Sequence, residues 1–256
     1  MRRTGFGRAG QGWSGLLGSL AICAVVGQAG AHTTVRSQAI ESVREDNALR
    51  IGHGCGEERG VIAQSVVFPT EAPLLGTSDP AAAVTDLSEV IRQGSLAGLA
   101  QSIQDRSIFG FQDEILDANG NVVGFQARKG LLRPNLVGRV PFQLSAPGFV
   151  AESCARRLIV EIAIADICST AQPILLPEKV NLWIPDNGSL FATLGRAAGV
   201  EDIGGPARLI VNRNLQTNPL PSACGAGHDV TVTPSAAQVD RDLPIAGYWE
   251  LKPAGR

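Results

Sequence analysis

An all-β sandwich is the fold this 256-residue sequence predicts, and three observations predict it. Nine short runs rich in β-branched and apolar residues recur along the chain, bounded by glycine, proline and asparagine turns. Only one stretch repeats its apolar residues at helical spacing. Four cysteines (Cys55, Cys154, Cys168 and Cys224) follow a leader with the layout of an export signal, an even count that favours two disulfides. A cupredoxin-like Greek key is one arrangement that this strand count allows.

The leader comes first. MRRTGFGRAG supplies Arg2, Arg3 and Arg8 with no acid, WSGLLGSLAICAVVG supplies an apolar run, and AGA places small residues at cleavage spacing. The run is short for a membrane span and no stop-transfer charges follow it. Cleavage after Ala31 divides the chain into a signal peptide, 1–31, and a single domain, 32–256, that begins at His32. Arg2-Arg3 hints at twin-arginine export. A rival cut at SLAIC would lipidate Cys23, but isoleucine before that cysteine suits a lipoprotein signal poorly.

Strand runs then follow at 48–52, 61–68, 107–116, 121–128, 138–144, 156–168, 180–184, 207–213 and 229–233. Asn119-Gly120 between two of them predicts a tight hairpin. The insertion at 72–105 carries the helical candidate, 85–104, preceded by the Pro/Gly-rich loop TEAPLLGTSDPAAA; Leu87, Val90, Ile91, Leu96, Leu99, Ala100 and Ile103 recur at helical spacing and Gly94 splits the candidate into two short helices. A continuous strand from Arg156 would hold Cys154 and Cys168 ~40 Å apart, beyond the ~7 Å a disulfide permits. Cys55 therefore pairs with one of those two and Cys224 with the other.

Charge narrows the function classes. Three of the 22 basic residues lie in 1–31, which leaves 19 against 24 acids in the mature chain, a net of −5. No basic run is present, which argues against nucleic acid and against an anionic membrane surface. Nothing downstream of the leader approaches ~20 consecutive apolar residues, so no transmembrane anchor is expected in the mature chain. Together these features place the protein in the periplasm or outside the cell.

A histidine at a chain terminus can bind a metal through its α-amine and Nδ1 together, and such nitrogen donors suit Cu(II), which leads the divalent affinity order. The stretch RIGHGCGEERGVIAQSVVFPT, with this terminal histidine before it, resembles the YcnI-like family of exported copper-binding β-sandwich domains. That resemblance covers residues 32–70 best and implies a mono-histidine brace. His32 takes the terminal position and Glu45 the strand glutamate, with Asp46 as the one-residue alternative. Trp183 in NLWIPD takes the tryptophan. Many members carry a C-terminal membrane anchor and basic tail, which this sequence lacks, and the 72–105 insertion makes it longer than usual.

If 45–55 forms one strand, Glu45, Leu49, Ile51, His53 and Cys55 share a face, with Glu45 and His53 ~26 Å apart. Only one of them can join His32, and the resemblance points to Glu45. His53 is then expected to be a packed histidine beside a disulfide. His228, four residues after Cys224, would make a second site with His53, or is simply a loop histidine. Asp117 and Asn119 match half of a calcium loop, which the hairpin explains equally well.

Met1 is the only methionine, so the mature chain offers no thioether for Cu(I) or for a blue-copper axial position. No G-x-S-x-G, H-E-x-x-H or P-loop occurs. The expected function is non-enzymatic Cu(II) acquisition or delivery, with a copper transfer partner at the cell envelope. A metal-free sandwich for adhesion or assembly is one alternative. A copper monooxygenase is another, though only 5% of residues are aromatic and that chemistry needs a second histidine.

Overall fold

The computed structural model describes Met1 and residues 32–36, 38–56, 58–200 and 203–249. The export signal read at 1–31 lies, Met1 apart, outside the described residues. The chain from residue 31 onward is one compact unit.

It enters through two very short strands, β1 (Thr34–Val35) and β2 (Gln38–Ile40), followed by β3 (Arg44–Ile51), β4 (Ala63–Val67), β5 (Leu74–Thr77) and β6 (Ala100–Ser102). Next come β7 (Phe109–Leu116), β8 (Val122–Gly130), β9 (Gly138–Ser145), β10 (Ala155–Ile167) and β11 (Val180–Trp183). Helix α1 (Leu190–Ala197), β12 (Ala207–Asn212), β13 (His228–Thr233) and helix α2 (Ala236–Asp242) complete it. One sheet runs β1-β3-β9-β6. The other contains β2-β12-β10-β4-β8-β7, with β11 and β13 also on β10 and β5 on β13. The fold is a β-sandwich.

Period-two burial builds the first core. Asn47, Leu49 and Ile51 of β3 and Val140, Phe142 and Leu144 of β9 point inward against Phe68, Phe125, Leu158, Val160 and Ile162. The 13-residue β10 is the axis of the larger sheet. Its first half lies between β12 and β13, and its second half between β4 and β11. That second half and β4 are buried on both faces, because α1, α2 and Trp249 close a second core over Ala163, Ala165 and Ile167. Such double burial explains why 162–165 read as continuously apolar, while Gln64, Ser65 and Asp166 are polar residues buried in the same layer.

The expected hairpin joins β7 to β8, with Gly120 at φ +81°. Asp117 there accepts from the Asn119 and Asn121 backbone nitrogens and the Asn121 side chain, so its oxygens serve the turn.

The helix expected over 85–104 does not form. A single 3-10 turn, Leu87–Glu89, is nucleated by a capping box between Asp86 and Glu89, and Gly94 and Gly98 then adopt φ of +62° and +72°, which end any helical path. All the apolar residues but Ile103, which is half-buried, are buried as the spacing implied, in an irregular chain whose Ile91 bridges Phe149. The 72–105 segment is also woven into the sandwich, since β5 pairs with β13 and β6 with β9.

Of the two disulfide pairings left open, Cys55–Cys168 and Cys154–Cys224 form. Each tethers one end of β10.

Candidate functional site

The register of β1 on β3 decides which residues His32 meets. Thr34 lies opposite Arg50 and Val35 opposite Leu49, antiparallel. His32, two residues upstream, therefore sits beside the Ile51–His53 end of β3, and Glu45 lies about 17 Å down the strand from Arg50 at ~3.4 Å per residue. Glu45 instead accepts from Arg36 at 2.7 Å and pairs across the sheet with Leu144. Asp46 shares that distant end, opposite Gln143. Neither acid is part of a site with His32: the terminal histidine reaches the opposite end of β3 from the one the resemblance implied.

The ring that His32 meets is an indole, and a second imidazole meets the same indole. The His32 ring stands edge-on to Trp183, centroids 4.8 Å apart, and the His53 ring meets the same indole at 6.0 Å. Trp183 is 1% exposed. It closes β11, which pairs with the last four residues of β10 and so carries the indole to that end of the sheet.

His53 packs beside a disulfide, as expected, and also meets the indole. Its Nδ1 contacts the Gly54 carbonyl. A carbonyl oxygen only accepts, so Nδ1 carries a proton, and in the neutral ring the lone pair is on Nε2. Asn181 Nδ2 donates to the same carbonyl at 3.1 Å and fixes it in place. Two residues on, Cys55 is bonded to Cys168, which ties this loop to the end of β10.

Asp166, which the sequence reading did not single out, lies beneath the indole with no exposed surface. Its Oδ2 accepts from Trp183 Nε1 at 2.8 Å and from Thr33 Oγ1 at 2.5 Å, and its Oδ1 from Gln64 Nε2 at 2.7 Å. Burial pushes its carboxyl above the ordinary aspartate range, while the three donors and the nearby His53 pull the other way. The signal available in the sequence was an acid within the apolar run IVEIAIADIC, since a buried charge is kept only where partners exist.

His228 does not join His53. It lies opposite Ala155 at the start of β10, whereas His53 is tied to its far end, ~40 Å along the strand at ~3.3 Å per residue. An open groove of about 390 Å³ runs past His32, lined by Thr33, Thr34, Gly204, Pro206 and Arg208 among others.

Among the described residues, no three His, Cys, Asp or Glu side chains gather as a metal site. The candidate donors are the His32 and His53 imidazoles, so a metal here depends on a further donor, and the α-nitrogen of His32 is the one the sequence offers. In the uncut chain that nitrogen is a peptide amide. Liberated, it would be a further nitrogen donor, of the type that suits Cu(II).

No protein family profile matches the chain, and neither does any curated protein. Among solved structures, an uncharacterized protein from Nocardia farcinica with an immunoglobulin-like fold is similar at a TM-score of 0.42 and 11% identity, over 71% of this chain and 99% of that one. No helix among the described residues is long and apolar enough to cross a membrane.

Proposed function

We propose that the mature chain is an exported Cu(II)-binding protein of copper acquisition or delivery, holding the ion with His32, through its α-nitrogen and ring, and with Nε2 of His53. The observation that carries this reading is that both imidazoles rest on one buried indole, with the His53 tautomer set by the Gly54 carbonyl. The likeness of the HGC segment to YcnI-like domains supports it. The two disulfides suit an oxidising compartment outside the cytoplasm. Bound copper would supply a redox-capable Lewis acid. The chain's own part is to present neutral nitrogen donors and keep the indole beside them.

The test is copper titration of a chain that begins at His32. One copper is expected per chain. Affinity should fall ~100-fold or more in His32→Ala, in His53→Ala, or with one residue left in front of His32, which acylates the α-nitrogen. Equal affinity with and without the extra residue would exclude the terminal donor. Full cellular function of His32→Ala would favour the metal-free adhesion or assembly reading.

The contact of both His53 and His32 with Trp183 also favours a second reading, oxidative chemistry of the copper monooxygenase type, because it offers the second histidine which that chemistry uses. A flat aromatic binding face is the further requirement, and the large apolar side chains exposed among the described residues are aliphatic apart from Met1. Peroxide-dependent polysaccharide cleavage by the copper-loaded protein would establish this second reading.

A further inference from the structure

We propose that Asp166 is a positioning residue for the His32 and His53 site, one carboxylate that fixes both the mature amino terminus and the indole on which the two imidazoles rest. The inference builds on the copper reading above and goes beyond it to the residues that hold the donors in place.

A single oxygen carries most of the argument. Asp166 Oδ2 accepts from Thr33 Oγ1 and from Trp183 Nε1 at once. Thr33 directly follows His32 and is 2% exposed, so the first residues of the mature chain are pinned into the sandwich by this hydroxyl and by the pairing of β1 on β3. The indole nitrogen held by the same oxygen fixes the orientation of the ring that both imidazoles meet at steep angles, 64° and 80°. Oδ1 is held by Gln64, directly across the sheet on β4, which keeps the carboxylate from rotating away.

Nothing about packing requires an acid at this place. Ile162, Ala163, Ile164, Ala165 and Ile167 fill the rest of this strand end, and an apolar side chain would avoid the cost of burying a carboxylate whose hydrogen-bond donors are all neutral. Three N–H or O–H donors converge here, and an acceptor-only group answers all three. Two residues further on, Cys168 tethers the His53 loop through Cys55. The last three residues of this run thus fix every component of the site, Thr33 and Trp183 through Asp166 and His53 through the disulfide. Support of this kind holds donors in geometry before the ion arrives.

The chemistry also chooses the variants. Gln64 Oε1 is buried without a partner, so turning that amide over lets an asparagine at 166 donate to it and still accept from Thr33 and Trp183. Asp166→Asn should therefore keep the arrangement, and Asp166→Ala should lose it. Thr33→Val removes only the hydroxyl, and Thr33→Ser restores it. Each is made as a chain beginning at His32, with copper affinity read by competitive titration and the bound ion by electron paramagnetic resonance. Copper affinity should fall about tenfold or more in Asp166→Ala and Thr33→Val and stay within about threefold in Asp166→Asn and Thr33→Ser. The Cu(II) spectrum, which a change in global stability alone would leave as it is, should shift in Thr33→Val and return in Thr33→Ser. If Asp166→Ala does not fold, the Thr33 pair decides. A wild-type chain that binds copper beside a Thr33→Val chain with the same affinity and spectrum would overturn the positioning role alone. A wild-type chain that binds no copper would overturn the copper reading and this role with it.

Discussion

The two ends of β10 carry matching parts, a disulfide, a histidine and an aspartate, and they treat the aspartate in opposite ways. At the start of the strand, Asp229 accepts from Arg156 and Arg157, each Nε at 2.9 Å, and these guanidinium groups hold its carboxyl below the ordinary range. Arg213, buried nearby, donates to the carbonyls of Ala151, Ser153, Asn218 and Pro219 and stitches the loops together. At the far end, among the described residues, Asp166 accepts from three neutral donors and from no guanidinium or ammonium group, and burial pushes its carboxyl up. One end closes loops with paired charge. The other buries an acid against the indole that two imidazoles contact, and such costs concentrate where a structure serves something besides its own stability.

The sharpest way to separate the ends is to cut each tether. Replacing both cysteines of either disulfide by serine should cost about 2–5 kcal/mol in denaturant unfolding, since the bridges close segments with sequence separations of 113 and 70 residues. The copper readout should then divide them. Loss of Cys55–Cys168 frees the His53 loop and should weaken copper binding ~10-fold or more, whereas loss of Cys154–Cys224 should leave it unchanged in protein that is still folded. Equal effects on copper would erase the distinction between the ends.

A smaller effect, of opposite sign at the two ends, is expected in the pH dependence of stability. Asp229 has a depressed folded pKa, so its contribution is present above the ordinary value of ~3.9 and is lost as pH falls through the folded value. Asp166 has a raised folded pKa, so its contribution is present below ~3.9 and is lost as pH rises through the folded value. Asp229→Asn should cost about 1–2 kcal/mol near neutral pH, discounted because its arginine partners are roughly 40% exposed, and the deficit should close in acid. Asp166→Asn should gain on wild type as pH rises. Urea midpoints from roughly pH 3 to pH 8 would show the two difference curves sloping in opposite directions, and parallel curves would contradict the assignment.

These contrasts also mark what the sequence could disclose. Alternation along 45–51 and 138–144, the Asn119-Gly120 turn and the unbroken run before Cys168 are local patterns, and the sandwich, the hairpin and the exclusion of Cys154–Cys168 follow from them. The 85–104 segment misleads because burial at three- and four-residue spacing also arises in an irregular chain turned by glycines at positive φ. The site is harder still. Which end of β3 His32 reaches depends on the direction and register of a two-residue strand, and no local pattern encodes either. His32, His53 and Trp183 were therefore named as individual residues, but the strand argument set His53 apart from His32 in favour of Glu45, whereas the rings of both histidines contact Trp183. Asp166 could have been flagged as an acid in an apolar strand, though its partners Thr33, Gln64 and Trp183 come from three other segments.

Glu45 gives the smallest and most discriminating expectation. Its Oε2 pairs with Arg36, whose side chain is 62% exposed, and pairs this open to solvent contribute about 0–1 kcal/mol. The partner of that carboxylate is already present in the protein, and its Oε1 is buried with no hydrogen-bond donor, so neither oxygen is oriented toward the histidine end of β3 by any contact. Glu45→Gln should therefore shift the unfolding midpoint by no more than that small amount and leave copper affinity within about twofold, a change too small for the loss of a ligand or of its support. A large loss of affinity in this variant, with His53→Ala binding normally, would return the metal to the opposite end of β3. It would mean that β1 pairs with β3 in solution in another register, and the indole, Asp166 and the Cys55–Cys168 tether would then have to be explained without copper.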